Sequence, residues 1–437
     1  MRYISFFLLL TSIFSCKISG QINKKQVTQF LNDSAVITGH TGISIYEPAT
    51  GKYIYNLNAD KNFTPSSNIK LVTMYAALKY LGDSLVGIKY SLDSNNIIIY
   101  PTGDPTLLHP YFKTQPVVNF LKNTSKNILV KQLNFKPKPY GNGWAWNDYP
   151  DYYMAERSPM PIYGNCITFN CNKTTFETIP QNASTFFNIK TIAQEKGEQI
   201  NVERDFFNNN FTVLLNNKSK ENITVPFISS LTFTNKLLYD TIHKNINLSN
   251  TFNLKEDVDI QPKFKIYSQP TDSLLKQMMH NSDNFFAEQT LLMVSNEKLG
   301  YMSDKDIIDT LLKTDLKDFP SKPRWVDGCG LSRYNLFTPN DFIFLLDKMK
   351  TEFGMERLKS ILTTGNQGTL KNYYVNNTGF IYAKTGSMSN NVSLSGYLFT
   401  KKNKFYIFSI QLNSFAGTGK AGRRAIEKFL VQIIKNN

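Results

Sequence analysis

Histidine and cysteine are both scarce in this chain, which has four of each among its 437 residues. The histidines stand in no Ser-His-Asp arrangement, so the expected base for a serine nucleophile is lysine rather than histidine. No cysteine–histidine spacing is typical of a zinc site, and we expect neither a metal nor another cofactor. The four histidines are His40, His109, His243 and His280.

The few cysteines leave their redox state open. Cys166 and Cys171 are close enough in sequence to pair across a local loop, but a strand through residues 167–169 would point them to opposite faces. A local disulfide and free buried thiols are both consistent with this spacing. Cys329 stands alone, and Cys16 lies in an N-terminal targeting segment.

Long apolar runs are absent beyond the N-terminus. Residues 4–14 are mainly apolar, follow Arg2 and are too few to span a bilayer, which is typical of a secretory signal. We expect residues 1–20 to be a signal peptide, cleaved near residues 20–21 or, because residues 13–16 resemble a loose lipobox, lipidated at Cys16. Both routes predict export to the periplasm or cell envelope, with membrane contact only through a Cys16 anchor.

Acidic residues are outnumbered, since 34 Asp and Glu against 49 Lys and Arg give a formal net charge of +15. Such a chain favours anionic surroundings, for example a cell-wall polymer or a membrane surface. The basic residues form no stripe, and an exported chain meets little nucleic acid. We therefore expect no nucleic-acid partner.

Three short motifs follow one another along the chain: Ser67-Asn68-Ile69-Lys70, Ser282-Asp283-Asn284 and Lys384-Thr385-Gly386. Together they supply a nucleophile, a neighbouring base, a second hydroxyl–amide pair and a cation for a carboxylate, as in serine acyl-transfer enzymes that use lysine as base. Ser-x-x-Lys also occurs at Ser273 and Ser295, in contexts typical of a solvated helix face and a helix end. The interpretation therefore depends on the order and context of the motifs.

The context of Ser67 predicts that it begins a helix. Pro65 and Ser66 are helix-start signals before an apolar run that ends at Gly82, so Lys70 would lie one turn after Ser67 on the same face. Burial and the helix N-terminus both disfavour an ammonium, so the pKa of Lys70 would fall and a neutral Lys70 could take the Ser67 proton. A capping serine beside a lysine that reaches solvent is the structural alternative.

The second motif joins two helical runs. Ser282 would relay a proton to the leaving amine, and Asn284 would hold the substrate amide and Lys70. The alternative is an N-cap for the helix that follows.

The third motif ends a β-prone run at residues 380–387, which predicts an edge strand that can pair with an extended peptide. Lys384 and Thr385 would bind a terminal carboxylate, and Gly386 would let the substrate backbone approach closely. The Ser387 amide would share an oxyanion hole with the amide of Ser67. An ordinary strand end is the alternative.

Further segments carry a resemblance to a known family. They are Gly-Asp-Pro-Thr-Leu at 103–107, Gly-Trp-Ala-Trp-Asn-Asp at 143–148, Asp-Gly-Cys-Gly-Leu-Ser-Arg-Tyr-Asn at 327–335 and Gly-Thr-Leu at 368–370. With the three motifs, the chain resembles the class C low-molecular-mass penicillin-binding proteins, serine-type D-alanyl-D-alanine carboxypeptidases and endopeptidases, over nearly its whole length. Cys329 departs from the family's serine, and Pro-Thr stands before Gly103 where members often carry more glycine.

The resemblance implies an α+β, multi-domain fold. A transpeptidase domain like that of penicillin-binding proteins and serine β-lactamases, with an antiparallel sheet flanked by helices, would be split by a large β-rich insertion. We predict the first catalytic part at 21–87, the insertion at 88–262, with aromatic loops over the active site, and the second catalytic part at 263–437. Asp148 and Arg333 would grip the amine and carboxylate of a diaminopimelate side chain, with a structural salt bridge as the alternative.

The expected function is cleavage of peptidoglycan stem peptides through an acyl-enzyme on Ser67. Carboxypeptidase and endopeptidase activity would use the same site, and β-lactams would acylate the same serine. A β-lactamase is one alternative, although no deacylating carboxylate stands out. A catalytically silent peptidoglycan-binding scaffold is the other, although every catalytic residue is present.

Overall fold

The computed structural model describes residues 22–131, 135–194, 199–216, 220–249 and 262–437. The expected signal peptide, with Cys16, lies outside these residues. Within the described ranges, no helix combines the length and apolar character needed to cross a membrane.

The described residues form ten α-helices and seventeen strands. The helices are α1 (Lys24–Leu31), α2 (Ile69–Tyr80), α3 (Pro116–Asn123), α4 (Leu231–Ile242), α5 (Thr271–His280), α6 (Asn284–Leu299), α7 (Asp304–Lys313), α8 (Pro339–Phe353), α9 (Met355–Ile361) and α10 (Gly419–Asn436). The strands are β1 (His40–Glu47), β2 (Lys52–Leu57), β3 (Ser84–Leu92), β4 (Asn96–Pro101), β5 (Asn127–Lys131), β6 (Cys166–Asn172), β7 (Thr175–Ile179), β8 (Asn188–Ala193), β9 (Asn201–Arg204), β10 (Asn210–Leu215), β11 (Lys220–Pro226), β12 (Ile246–Ser249), β13 (Phe264–Pro270), β14 (Thr363–Thr364), β15 (Ile381–Met388), β16 (Asn391–Phe399) and β17 (Phe405–Asn413).

A six-stranded antiparallel sheet brings the two ends of the chain together, in the order β14-β15-β16-β17-β1-β2. Strands β16 and β17 are buried on both faces, because α10 packs on one face and α8 on the other. Successive side chains of β17 alternate accordingly: Phe408 shares a core with Phe429 of α10, and Ile407 shares one with Leu346 of α8. The predicted antiparallel sheet flanked by helices is confirmed.

Helix α2 lies in the middle of the helical layer on the α8 side. Its residues from Ile69 to Leu78 are all buried, because α5, α6 and α8 pack around it. A helix that is apolar on every side is stable only in such an interior. The turn before it, Ser66–Asn68, contacts β15 and β16, so this packing carries the first motif to the sheet edge that holds the third.

Three further sheets form between β3 and β13. A five-stranded sheet has the order β12-β5-β4-β3-β13, and two three-stranded sheets have the orders β8-β10-β9 and β11-β6-β7. One apolar core includes residues of all three. The strands that enter and leave this region, β3 and β13, are antiparallel neighbours, so the region attaches to the rest of the molecule through adjacent chain segments.

The predicted limits of the insertion cut through this five-stranded sheet. The limit at residue 88 falls inside β3, and the limit at 263 places β13 in the second catalytic part. Since β13 pairs with β3 from Phe264–Tyr90 to Pro270–Ser84, we propose that the inserted region runs from Ser84 to Pro270. Cys166 and Cys171, both on β6, are free thiols, as is Cys329.

Candidate active site

Ser67 lies in the turn that leads into α2, and two glycines close on this turn. Ser66 adopts a left-handed backbone, with φ at 50°. A Cβ added to Gly330 would lie 2.0 Å from the Ser66 carbonyl oxygen, and one added to Gly386 would lie 2.7 Å from the carbonyl oxygen of Pro65. Glycine at both positions therefore allows the segments of the third motif and of residues 327–335 to hold the Ser67 turn between them.

The Lys70 amine is completely buried and contacts three groups. Its Nζ lies 3.1 Å from Ser67 Oγ, 2.6 Å from Asn284 Oδ1 and 2.8 Å from the Cys329 carbonyl oxygen. A neutral amine has two N–H bonds and one lone pair. Asn284 Oδ1 and the Cys329 carbonyl can accept the two hydrogens, which leaves the lone pair to accept the Ser67 hydroxyl proton.

The environment favours this neutral form. Burial is the main cause that lowers the pKa of Lys70, while negative charge on Cys329 and then Asp283 would act in the opposite direction. Burial also raises the pKa of the Cys329 thiol well above its usual value, so this thiol stays uncharged. An uncharged thiol does not raise the pKa of Lys70. The structural alternative, a lysine that reaches solvent, is wrong, because Lys70 is fully enclosed.

Ser282 faces the second buried lysine. The Nζ of Lys384 donates to Ser282 Oγ at 2.9 Å and to the Thr385 carbonyl oxygen at 2.7 Å. Burial, with a further contribution from the nearby charge of Lys70, lowers the pKa of Lys384 well below its usual value. Ser282 occupies a left-handed position at the α5–α6 junction, with φ at 57°. Each of the two serine hydroxyls therefore lies within hydrogen-bond distance of a buried amine, Ser67 of Lys70 and Ser282 of Lys384.

The residue after Ser282 caps the following helix, as the structural alternative for this motif expects. The side chain of Asp283 accepts from the Phe286 amide at 2.8 Å. This capping does not prevent the motif from contacting the site, because Asn284 still reaches Lys70. Asn284 also donates to the Tyr153 carbonyl at 3.3 Å. One short motif thus caps a helix and lines the site.

The third motif lies on β15 at the edge of the sheet. Strand β14 pairs with β15 only at Tyr382 and Ala383, so within the described ranges no strand lies beside the edge from Lys384 to Met388. Thr385 Oγ1 lies 2.8 Å from Thr369 Oγ1, in the Gly-Thr-Leu segment. An extended peptide can add to this free edge through backbone hydrogen bonds.

A cleft of about 640 Å³ runs along this edge. It is lined by Ser67, Ser282, Asn284, Thr385 and Ser387 from the three motifs and by Asp148 and Arg333. The other three predicted site residues do not line the cleft but lie directly behind these residues: Lys70, Lys384 and Gly386. The structure thus brings all ten predicted site residues to one place.

Asp148 and Arg333 both line the cleft, and among the described residues neither forms an ion pair. Arg333 is exposed, and its Nη2 has one long contact of 3.5 Å to the Ser389 carbonyl. The alternative of a structural salt bridge between them is therefore not formed. Both charges remain available to a ligand.

Sequence reasoning missed a buried scaffold behind Lys70. Glu288 accepts from the Cys329 amide at 2.8 Å and pairs with Arg157 at 3.3 Å. Asp327 accepts from the amides of Gly330 and Ser332, at 2.9 and 2.6 Å, and from Trp144 Nε1 at 2.9 Å. These bonds fix the Cys329 carbonyl that Lys70 contacts, so position 329 serves the site through its backbone.

Two further residues were missed. Asn68, inside the first motif, donates to the Lys384 carbonyl at 2.9 Å and ties α2 to β15. Arg423 of α10 lines the cleft next to Thr385, and its Nη1 donates to Ser387 Oγ at 3.3 Å. Asn68 could have been found from its place between Ser67 and Lys70, whereas no sequence pattern marks Arg423.

The D-Ala-D-Ala carboxypeptidase 3 (S13) family matches residues 23–437, which is nearly the whole chain. This chain belongs to that family. The S13 match confirms the predicted family and, with it, the prediction of a serine-type D-alanyl-D-alanine carboxypeptidase.

Relatives of this S13 member extend over most of its length. It is 25% identical to the D-alanyl-D-alanine carboxypeptidase DacB of Haemophilus influenzae, over 98% of this chain and 95% of the relative. It is 23% identical to the penicillin-sensitive carboxypeptidase A of Dictyostelium discoideum, over 81% of this chain and 78% of the relative.

The fold of this S13 member is similar to that of penicillin-binding protein 4 (dacB) from Haemophilus influenzae, whose crystal structure covers 93% of this chain and 98% of its own with a TM-score of 0.72 at 18% identity. A predatory endopeptidase from Bdellovibrio bacteriovorus covers 90% of this chain and 94% of its own, with a TM-score of 0.51 at 18% identity. The predicted fold, a multi-domain penicillin-binding-protein architecture, is confirmed.

Proposed function

We propose that this protein is a serine-type D-Ala-D-Ala carboxypeptidase and DD-endopeptidase that cleaves peptidoglycan stem peptides through an acyl-enzyme on Ser67. The observation that carries the proposal is the enclosed Lys70 amine, whose hydrogens have two acceptors while its lone pair faces Ser67 Oγ. The family and its relatives, carboxypeptidases by name, support the same reaction.

The reaction begins when Lys70 takes the Ser67 proton as Ser67 Oγ attacks the carbonyl carbon of the penultimate D-alanine. The amides of Ser67 and Ser387 stabilise the oxyanion. When the tetrahedral intermediate collapses, the C–N bond breaks and Ser282 passes a proton, supplied by Lys70, to the leaving amine. Water then attacks the ester and restores Ser67.

Substrate binding uses both walls of the cleft. Asn284 holds the substrate amide, and the free edge of β15 pairs with the extended stem. Asp148 and Arg333 take the amine and the carboxylate of a diaminopimelate side chain, which suits their lack of other ion-pair partners among the described residues.

The terminal carboxylate binds at Thr385 and Ser387. Because Lys384 is buried and its pKa is lowered, it contributes mainly by holding Thr385 and Ser282. A positive charge next to this carboxylate position comes from Arg423, which lies beside Ser387.

Intact-mass spectrometry of the purified mature protein with and without benzylpenicillin tests the mechanism, with Ser67→Ala as the control. We expect a one-to-one adduct on the wild type and none on the variant. A folded wild-type protein without an adduct would contradict the mechanism and favour the silent scaffold. Steady turnover of penicillin in place of a stable adduct would favour the β-lactamase.

We also propose that the protein acts outside the cytoplasm, in the periplasm or cell envelope, because peptidoglycan is found there. Cell fractionation of the full chain tests this location, and a Cys16→Ala variant separates the two processing routes. If Cys16 carries a lipid, the variant moves from the membrane fraction to the soluble fraction. If cleavage occurs near residues 20–21, the two proteins fractionate alike.

A further inference from the structure

A second groove, of about 690 Å³, lies beside the active-site cleft. Its walls come from the loop of residues 149–152 and from strands β9, β10 and β11 of the inserted region. Tyr152 lines both this groove and the cleft, so the two are adjacent. A substrate long enough to extend past Tyr152 can therefore contact both.

Tyr152 and Phe206 line the groove, and the rings of Trp146 and Phe207 lie next to that of Phe206. We call these four rings the aromatic ridge. Trp146 is 74% exposed, Tyr152 62% and Phe207 83%. The Phe206 ring lies between two of the others, with its centroid 6.3 Å from that of Trp146 and 4.8 Å from that of Phe207. Rings left exposed to water contribute little to the stability of the fold, and a cluster of exposed apolar rings of this kind marks a binding surface.

The ridge is held in place by polar contacts. Phe206 and Phe207 form the turn between β9 and β10, and Asn209 in this turn exchanges two hydrogen bonds with the Ile228 backbone, at 2.9 and 2.7 Å. Tyr149 OH donates to the Arg204 carbonyl at 3.0 Å, which ties the aromatic loop to the same turn. Rings fixed before binding cost little conformational entropy when a ligand packs on them.

The charge of the groove restricts what it can bind. Asp151, Glu203 and Asp205 are exposed on its walls. Arg204 is buried and donates to the backbone carbonyls of Asp205 and Tyr149. In a chain with a net charge of +15, this groove is locally acidic and repels the carboxylates of a peptide stem. A neutral ligand rich in hydroxyl and amide hydrogens would instead donate to these carboxylates.

We propose that the groove and its aromatic ridge bind the glycan strand to which the stem peptide is attached. N-acetylhexosamine units are uncharged once the muramyl carboxylate is joined to the peptide, their hydroxyl and acetamido groups are donors, and their C–H faces pack on aromatic rings. A stem of four extended residues spans at most about 14 Å. Sugars at its far end therefore stay close to the surface that adjoins the cleft.

This proposal rests on the proposed function, and substrates with and without sugars separate the two. We would measure kcat/KM on a disaccharide-pentapeptide and on the same pentapeptide without sugar, for the wild type and for a Phe206→Ala/Phe207→Ala variant. We expect the variant to lose about tenfold on the sugar-bearing substrate and to equal the wild type on the free peptide. Tyr239→Ala, which removes a half-exposed ring on α4 outside both cavities, is the matched control.

Benzylpenicillin acylation of the variant at the wild-type rate shows that its active site is folded. An equal loss on both pentapeptides would overturn the glycan proposal, as would no loss on either. A loss on a sugar-free cross-linked dimer peptide would also overturn it, because the groove would then hold a second stem. If the wild type cleaves neither substrate and forms no penicillin adduct, the proposed function itself fails.

Discussion

At the residue scale, two lysines of the same site have different tasks because their partners differ. Lys70 has its two acceptors and faces Ser67, whereas Lys384 donates to Ser282 and to the Thr385 carbonyl. Among the described residues neither amine forms an ion pair with a carboxylate, and burial lowers the pKa of both. At Lys70, burial thus converts a strongly basic side chain into a proton acceptor.

The lowered pKa of Lys70 predicts the pH dependence of acylation. The neutral amine is the active form, so the second-order rate of acylation by benzylpenicillin falls as the pH drops through the Lys70 pKa. Asn284→Asp places a carboxylate at the position that now lies 2.6 Å from Nζ, which favours the ammonium. We expect the acidic limb of the profile to move upward by about one pH unit or more.

Asn281→Asp is the control for this experiment, since Asn281 lines the cleft and bonds to Tyr111 and Gln277 rather than to Lys70. Its profile should keep the wild-type limb. An acidic limb that does not move in Asn284→Asp would show that another group controls it.

Arg423 is expected to decide the preference for a free terminal carboxylate. Arg423→Ala should lower kcat/KM on a peptide ending in D-Ala-D-Ala by about 10- to 100-fold, the size of one lost charge-assisted hydrogen bond. The effect should be small on the same peptide with an amidated terminus, and Arg423→Lys should restore part of the activity. Steady-state kinetics on the two peptides measure this difference.

The neighbouring Arg424 provides the comparison. Its guanidinium pairs with Glu427 at 2.5 Å and stacks on Tyr373, and it does not line the cleft. Arg424→Ala should leave the preference for the free carboxylate unchanged. Equal losses in both arginine variants would refute a specific role for Arg423.

At the scale of elements, the site depends on how closely three segments meet. The turn before α2 contacts β15 and β16, and residues 327–335 close over it from the other side. Each segment comes from a different part of the chain, so no local propensity sets their separation. Glycines at the points of closest approach make the contact sterically possible.

Gly330→Ala should therefore abolish acylation while Gly354→Ala spares it. Both glycines have positive φ, at 86° and 76°, so alanine strains the backbone in both variants, by about 1–3 kcal/mol at Gly354, where ψ is 149°. A Cβ at Gly354 meets nothing within 4 Å, whereas one at Gly330 would lie 2.0 Å from the Ser66 carbonyl oxygen. The extra collision should displace Ser67, which penicillin acylation and thermal unfolding of the two variants would measure.

If Gly330→Ala acylates as fast as Gly354→Ala, the close approach of the two loops is not required for catalysis. A loss of folding in Gly330→Ala alone would still place the collision at the Ser67 turn, because Gly354→Ala also strains a positive-φ position but meets no neighbouring atom.

At the scale of the whole molecule, two kinds of attraction to the cell wall are expected to act together. The net charge of +15 draws the protein toward anionic polymers from a distance, whereas the cleft and the neighbouring groove recognise individual groups at contact. Only the first is strongly screened by salt, because the Debye length falls from about 10 Å at 0.1 M to about 3 Å at 1 M.

Retention of the protein on intact cell walls should therefore fall steeply between low and high salt. The kcat/KM for a short neutral peptide should change little over the same range. A sedimentation assay with purified walls, run beside the peptide assay, measures both. Retention that is independent of salt would show that the net charge does not contribute.

The sequence by itself determined the elements and the reactive groups. A spacing of three residues places Ser67 and Lys70 on one face of a helix, and apolar patterns mark the strands around the third motif. These signals are local, because each depends on periodicity, turn chemistry or a short motif that acts over a few residues.

Only the tertiary structure decided the contacts that tune the site. The Cys329 carbonyl meets Lys70 across 259 positions of sequence, Arg423 reaches Ser387 from the last helix, and β13 pairs with β3, which is distant in sequence. A backbone carbonyl has no side-chain signature, and a strand edge accepts many partners. Packing of α2 against α5, α6 and α8 encloses Lys70, so that its amine can serve as a base.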